Sequence, residues 1–243
     1  MIKKILIIFI VLFFVLSGLV IFFYTQGFNH PSAKKHPIRG VDVSSYQGDI
    51  DWDILADQNI DFAFIKATEG SGSQDAYFSG NFENALKTHL KVGAYHFFSY
   101  DSPGATQAEN FINTVPKIDG MLPPVIDIEF YGDKASNPPT REETESILNE
   151  LLRRLEERYG QKPIIYTTGK SYDLYIKGGH YDHSIWIRDL LGEPSLPDRK
   201  WVFWQYNNRK RLKGYSGPEK CIDMNIFNGS KEDFLAFCDA NHS

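Results

Sequence analysis

The sequence predicts an α/β fold in which eight strands close into a barrel behind an apolar N-terminal helix. Three observations support this prediction. Short apolar runs recur along the chain, amphipathic helical stretches separate most of them, and a single uncharged run of 19 residues precedes them all. Strands that alternate with helices predict parallel β/α units, and eight of them are enough to close a barrel.

The first element is an apolar segment from Ile5 to Phe23, which contains no charged residue and is preceded by Lys3 and Lys4. As a helix, rising about 1.5 Å per residue, it would be about as long as a bilayer core is thick. It is longer than most signal-peptide cores, and no small-residue cleavage site follows it. We therefore expect residues 1–24 to be an uncleaved membrane anchor. The alternative is a cleaved signal peptide, which would give a secreted protein.

The next two segments are a linker and one domain. Residues 25–38 are polar, contain two prolines and show no periodicity, which predicts a linker. Residues 39–243 suit a single domain and carry 22 basic against 31 acidic side chains, a net charge of −9. Because nucleic-acid binding needs a basic surface, this charge excludes nucleic acid as a partner.

The strands predicted within the domain are, in chain order, 40–44, 61–67, 92–98, 123–129, 163–168, 184–188, 202–206 and 222–227. The clearest helix follows the fourth strand, where Thr140 and Glu143 form a capping box and Gly160 provides a stop. Three shorter helical stretches are predicted at 77–90, 106–115 and 230–238. The helical pattern weakens after the fifth strand, so we expect the last three strands to form a β-meander.

The cysteines and histidines show no metal-ligand spacing. Cys221 and Cys238 form no CxxC or Cys/His motif. They would pair as a disulfide in an oxidising compartment, and otherwise would be buried thiols. The seven histidines lack the ligand set that a metal-dependent deacetylase needs, so the sequence predicts no metal and no cofactor.

Two acids end the apolar stretch LPPVIDIEF, at the kind of strand end where β/α barrels place their active sites. Asp127 and Glu129 are spaced i, i+2, which directs both side chains to the same face of the strand. Two ionised carboxylates buried together repel each other, so at least one should have a raised pKa. A protonated carboxyl beside an ionised carboxylate is the pair that glycosidic bond cleavage requires.

Two further acids favour a shared site over a solvated turn, which is the usual place for an isolated Asp-x-Glu. Asp42 and Asp223 lie at comparable points of the first and last predicted strands. Several buried acids in one barrel mouth are costly unless they have a function. Lys66 would pair with one of these acids or bind substrate, because a buried lysine needs a partner. His96 is expected to be structural.

Seven motifs, in this order, resemble the glycoside hydrolase family 25 muramidases, also called Chalaropsis-type lysozymes. They extend over nearly all of residues 39–235 and are RGVDVSSYQGDIDW, FAFIKATEG, VGAYHFF, PPVIDIE, PIIYTT, FWQY and IDMNIF. The resemblance implies an incomplete TIM-like barrel with five β/α units and three further strands. It also implies cleavage of the β-1,4 bond between N-acetylmuramic acid and N-acetylglucosamine in peptidoglycan.

The resemblance implies roles for individual residues as well. Glu129 is similar to the general acid of the family, Asp127 to its partner, and Asp42 and Asp223 to the other two acids of the site. Asp127 would either attack directly or orient the acetamido group of the substrate, and both options stay open. The residues expected to contact sugar, with core packing as the alternative for the aromatic ones, are Tyr46, Lys66, Tyr95, Tyr166, Trp186, Trp204 and Gln205.

One departure from the family pattern is Arg188, which stands where a small residue is more common. It would either narrow the groove or offer a cation to the lactyl or peptide carboxylates of the substrate. We expect a monomer that acts on peptidoglycan strands outside the cytoplasm, where this substrate lies.

Two other functions remain open from the sequence. A membrane-tethered peptidoglycan-binding protein would keep the fold without the chemistry, although four intact acids count against it. A chitinase-like hydrolase would also end a strand in paired acids, usually with an Asp-Gly further upstream. Here Asp119-Gly120 falls before the prolines of the stretch, which counts against that alternative.

Overall fold

The computed structural model describes residues 2–26, 29–180 and 182–240, and strands form its centre. The strands are β1 (Arg39–Val43), β2 (Phe62–Glu69), β3 (Ser73–Gln74), β4 (Lys91–Phe97), β5 (Val125–Ile128), β6 (Ile164–Thr168), β7 (Ile185–Arg188), β8 (Phe203–Lys210) and β9 (Ile222–Phe227). The helices are α1 (Ile2–Gln26), α2 (Trp52–Ala56), α3 (Phe78–Ala85), α4 (Gly104–Thr114), α5 (Arg141–Tyr159), α6 (Gly169–Ser171) and α7 (Lys231–Ala240). A π-helical turn, Tyr172–Ile176, continues α6.

The strands close into an eight-stranded barrel. Hydrogen-bonded neighbours follow the order β1-β9-β8-β7-β6-β5-β4-β2, and a β1–β2 pairing completes the circle. The short strand β3 extends the end of β2 and takes no part in closure. The strands of the barrel are parallel except β9, which is antiparallel to both of its neighbours. The predicted α/β barrel is therefore confirmed.

The predicted β-meander over the last three strands is wrong. Both β7 and β8 are parallel to β6, so the chain reverses only between β8 and β9. Parallel neighbours need a crossover connection. In the residues that the structure describes, the first crossover contains only α6 and its π-helical turn, and the second, residues 189–202, contains no helix. Neither carries an amphipathic helical pattern, so the parallel pairing is not visible in the sequence.

Helix α5 begins and ends where the sequence predicts. The hydroxyl of Thr140 accepts from the N–H of Glu143, and the Glu143 carboxylate accepts from the N–H of Thr140 at 3.0 Å. Gly160 ends the helix in the left-handed conformation, with φ at 71°. These two caps satisfy backbone groups that a helix end leaves unpaired.

Aromatic side chains fill the lower half of the barrel. Phe62, Phe64 and Phe203 are fully buried inside it. The Phe64 ring stacks on Trp186 with centroids 4.8 Å apart, and Phe62 meets Phe203 edge to face at 5.1 Å. Because this aromatic floor blocks the interior, polar side chains have room only at the upper end, where the parallel strands terminate.

The segment before β1 belongs to the predicted linker 25–38, of which residues 27 and 28 lie outside the described residues. Residues 29–38 lie against the barrel, where the Asn29 amide donates to Asp189 O at 3.2 Å and Lys35 pairs with Glu193 at 2.6 Å. Among the residues that the structure describes, no helix combines the length and the apolarity needed to cross a bilayer. The predicted transmembrane anchor is therefore not supported.

Gly104 tests how closely α4 and α5 approach each other, and Gly80 in α3 serves as the comparison. A methyl group on Gly104 would lie 2.1 Å from Ile147 O, a backbone atom that cannot turn aside. We expect Gly104→Ala to lower the free energy of unfolding by about 1–3 kcal/mol. Gly80 in α3 has nothing within 4 Å of such a methyl, so Gly80→Ala should raise it by about 0.5–1 kcal/mol. Urea unfolding measures both, and equal effects would contradict the close approach.

Candidate active site

The upper end of the barrel holds a cavity of about 660 Å³, including its part open to solvent. The structure brings ten of the eleven sequence-predicted site residues together around it. The lining residues are Asp42, Ser44, Tyr46, Lys66, Tyr95, Phe97, Asp127, Glu129, Tyr166, Trp186, Gln205 and Asp223.

A second depression continues the cavity past Asp223, so the site is a groove. It shares Asp42 and Tyr46 with the cavity and extends over Asn208 and Glu219. Its wall is rigid, because the loop after β1 is joined to the β8–β9 loop by backbone hydrogen bonds. These bonds are Asp51 N to Gly214 O, Gly217 N to Gln47 O and Glu219 N to Tyr46 O. Tyr46 itself stands at the rim with 67 % of its surface exposed.

The two acids Asp127 and Glu129 face the same side but lie at different depths. Asp127 lies inside the barrel and is buried, whereas Glu129 follows the last strand residue and keeps 26 % of its side chain exposed. Ile128, between them, points into the outer apolar layer. Within the described part of the chain, Asp127 Oδ1 has no hydrogen-bond partner. A buried carboxyl oxygen without a partner is rare unless a ligand or a reaction uses it.

Asp42 is held by two amide groups. Its Oδ2 accepts from Gln205 Nε2 at 2.9 Å and from Asn225 Nδ2 at 2.7 Å. Each amide is fixed by an aromatic donor: Trp186 Nε1 donates to Asn225 Oδ1 at 2.9 Å, and the Tyr166 hydroxyl donates to Gln205 Oε1 at 3.0 Å. An indole N–H can only donate, so the Asn225 oxygen must face Trp186 and its NH₂ must face Asp42.

The four acids of the site do not share one electrostatic environment. Burial raises the pKa of Asp127 well above its usual value, and the charges of Glu129 and Asp42 raise it further. Burial, with Asp42 beside it, also raises the pKa of Asp223 well above normal. Burial raises the pKa of Asp42 too, but its two amide donors oppose this shift. Asp42 is thus the acid whose ionised form is best supported by hydrogen bonds.

Two cations face this acidic cluster. Burial raises the pKa of Glu129, while the charge of Arg188 lowers it, with Nη1 3.8 Å from Oε2. Lys66 is engaged by Glu69 at 2.7 Å and lies 4.9 Å from the centre of the Phe97 ring. The sequence analysis expected Lys66 to pair with a site acid or bind substrate; in the structure its bonded partner is a neighbour on its own strand.

Trp204 is the sequence-predicted site residue that the structure places elsewhere. It lies on the outer side of the barrel wall, where its indole N–H donates to Asp189 O at 2.7 Å and its ring packs against Trp201. Successive residues of a strand face opposite sides. Since Gln205 faces inward and hydrogen-bonds Asp42, its neighbour Trp204 must face outward.

Three functional positions were missed by sequence reasoning: Ser44, Phe97 and Asn225. Each lies two residues from a residue that was predicted, namely Asp42, Tyr95 and Asp223. Because residues i and i+2 of a strand face the same side, the sequence could have indicated all three.

His96, Cys221 and Cys238 lie outside the acidic cluster. His96 is buried, accepts from Thr68 Oγ1 at 2.7 Å and donates to Gln107 Oε1 at 2.9 Å. Burial lowers its pKa to about 4, so it is a neutral structural residue, as expected. The cysteines are unpaired thiols. Among the described residues, no group of three or more His, Cys, Asp or Glu side chains is arranged to hold a metal ion.

A β/α barrel that gathers carboxyl groups with raised pKa values between aromatic walls at its mouth is the arrangement of a glycoside hydrolase. The comparisons with known proteins agree with this class. The model of the glycosyl hydrolases family 25 matches residues 41–215, which include Asp42, Asp127 and Glu129. The chain therefore belongs to glycoside hydrolase family 25.

Known relatives share most of the chain. The solved family 25 glycosyl hydrolase from Bacillus anthracis is 55 % identical with a TM-score of 0.81, over 86 % of this chain and 96 % of that one. The bacterial lysozyme from Streptomyces coelicolor is 31 % identical with a TM-score of 0.75, over 84 % and 98 %. Lysozyme M1 of Streptomyces globisporus is 32 % identical over 82 % of this chain and 70 % of that protein.

Proposed function

We propose that this protein is a peptidoglycan muramidase, which hydrolyses the β-1,4 bond between N-acetylmuramic acid and N-acetylglucosamine. The observation that carries the proposal is the pair of Asp127 and Glu129, two acids with raised pKa values at different depths of one groove. Family membership and the similarity to named lysozymes give further support.

Glu129 would protonate the leaving oxygen. It stands at the edge of the cavity, where a glycosidic oxygen has access, and its raised pKa keeps part of the population protonated at higher pH than an ordinary glutamate. Proton donation to the leaving group is the step that an oxocarbenium-like transition state needs most.

Asp127 would act on the other side of the reacting carbon. Its unpartnered Oδ1 suits either of two roles, attack on the anomeric carbon or acceptance of a hydrogen bond from the acetamido N–H of the substrate. Asp42, whose ionised form is favoured by hydrogen bonds from Gln205 and Asn225, would stabilise the positive charge that develops on the sugar ring.

The walls of the groove suit a chain of sugars. Tyr166 and Trp186 meet edge to face at 4.7 Å between centroids, and both line the cavity. Tyr46 offers an exposed ring at the rim, where it could carry the apolar face of a pyranose. Peptidoglycan lies outside the cytoplasm, so we infer that the enzyme acts there.

Product analysis tests this proposal. We expect purified sacculi treated with the protein to release muropeptides that end in reducing N-acetylmuramic acid, identified by borohydride reduction and mass spectrometry. Reducing N-acetylglucosamine would assign a different bond. Comparable cleavage of chitin oligosaccharides would favour the chitinase-like alternative, and binding to sacculi without any release would favour the binding protein.

A further inference from the structure

The rim of the groove holds a cation whose hydrogen-bonding capacity is unused. Arg188 is the last residue of β7, two residues after Trp186, so both face the inside of the barrel. Its guanidinium lies 3.8 Å from Glu129, which is longer than a hydrogen bond. To the residues that the structure describes, the guanidinium donates no hydrogen bond, and 35 % of its side chain is exposed.

The other cation of the site is arranged differently. Lys66 is bonded to Glu69 at 2.7 Å and lies over the Phe97 ring, so its ammonium group already has partners. Its charge lowers the pKa of Asp127 and Glu129, whereas Arg188 lowers the pKa of all four acids. It is therefore the cation of the groove that is open to an incoming anion.

We propose that Arg188 determines specificity by binding a carboxylate carried by the sugar that lies beside Glu129. This inference rests on the muramidase function proposed above. The planar guanidinium presents N–H donors in a fork that matches the two oxygens of a carboxylate. Its place on a strand end, next to the residue proposed to protonate the scissile bond, fixes that carboxylate close to the reacting oxygen.

The muramyl sugar can carry such a carboxylate in two places. Its lactyl ether ends in a free carboxylate when no peptide is attached. When the lactyl group is amide-linked to a stem peptide, the carboxylates belong to the peptide. Both present the same group to Arg188, so the experiment must separate them.

The test uses four kinds of soluble glycan strand: with stem peptides, with stems removed by an amidase, and each of these two with all carboxyls coupled to methylamine. Arg188→Gln removes the charge, and Arg188→Lys keeps it without the fork. Arg153→Gln makes the same charge change on the exposed surface of α5 and serves as the control. The measurement is kcat/KM from reducing-end release, with Tm verifying that each variant folds.

We expect Arg188→Gln to lower kcat/KM about tenfold on carboxylate-bearing strands and by a much smaller factor on the neutralised strands. A loss limited to stem-free strands identifies the lactyl carboxylate, and a loss limited to intact strands identifies the peptide. Arg188→Lys should recover part of the loss. Equal losses on charged and neutralised strands, or none on either, would overturn the inference. If the wild type released no reducing ends from any strand, the muramidase proposal itself would fail.

The pH profile gives a second readout. Activity falls at high pH when the proton donor ionises, and the cationic Arg188 favours that ionisation. On neutralised strands, Arg188→Gln should therefore move the alkaline limb of kcat to higher pH. On carboxylate strands the bound anion already neutralises Arg188, so the shift should shrink. The titratable and charged groups that interact electrostatically with Glu129, and so contribute to this profile, are Asp42 on β1, Lys66 on β2, Asp127 on β5, Tyr166 on β6, Arg188 on β7 and Asp223 on β9.

Discussion

Glu129→Gln is expected to lower kcat on peptidoglycan by about 10³-fold, within the range that general acid catalysis contributes. Glutamine keeps the shape of the side chain but has no proton to give to the leaving sugar oxygen. Binding should change little, because the aromatic walls and Asp42 are untouched. Reducing-end release measures the first effect, and sedimentation of the variant with sacculi measures the second.

An aryl glycoside of N-acetylmuramic acid makes this prediction specific to proton transfer. Its phenol leaves as an anion without protonation, so Glu129→Gln should retain most of its kcat/KM for phenol release, the step that needs no proton donor. Glu157→Gln, an exposed change of the same kind on α5, is the matched control. Equal losses on the aryl glycoside and on peptidoglycan would exclude Glu129 as the proton donor.

Asp127→Asn is expected to lose about 10²–10³-fold in kcat on both substrates, because either proposed role of Asp127 is needed whatever the leaving group. The two variants therefore separate the two acids: one loss depends on the leaving group and the other does not. Full activity of Asp127→Asn on the aryl glycoside would remove Asp127 from the mechanism.

The same substitution should stabilise the protein at neutral pH. Burial, Glu129 and Asp42 raise the pKa of Asp127 in the folded state. The folded protein thus holds this proton more tightly than the unfolded chain does, and stability falls as pH rises from the unfolded pKa through the folded one. Asparagine has no carboxyl group to ionise, so it avoids this loss of stability. We expect Tm at pH 7 to rise by about 2–4 °C, the effect of roughly 1 kcal/mol in a domain of this size.

The pH dependence checks the cause of that stabilisation. Near pH 4, which is close to the ordinary pKa of an aspartate in the unfolded chain, about half of the unfolded carboxyls are already protonated, so most of the advantage of Asp127→Asn should be lost. Differential scanning calorimetry at pH 4 and pH 7 gives the comparison. An advantage of equal size at both values would mean that packing, not charge, is responsible.

The barrel was predictable because its signals are local. Each of the eight predicted strands is an apolar run between polar segments, and α5 carries both of its caps within its own sequence. The direction of β7 and β8 was not predictable, because it depends on crossovers without a helical pattern. The packing of residues 29–38 against the barrel was also missed, since polar, proline-containing sequence looks the same in a linker and on a surface.

The site was partly predictable for a similar reason. The acids at the strand ends could be found because β/α barrels bring all such ends together. Trp204 and Gln205 could not both face the groove, and only the structure shows which of the two does. The support that Asn225 gives to Asp42 was missed, although Asn225 lies two residues from Asp223 and therefore faces the same side of β9.

The closure of the barrel by β9 also sets the order in which the site can be completed. Asp42 lies on the first strand, while its amide donors Gln205 and Asn225 and its neighbour Asp223 lie on the last two. A chain made from its N-terminus has Asp127 and Glu129 in place long before these residues exist. Until β9 is added, β1 and β8 are open edges of the sheet. Pairing of β9 with β1 is slow, because the two strands are far apart in the sequence. An unfinished chain therefore carries Glu129, the proposed proton donor, but has no anchored Asp42.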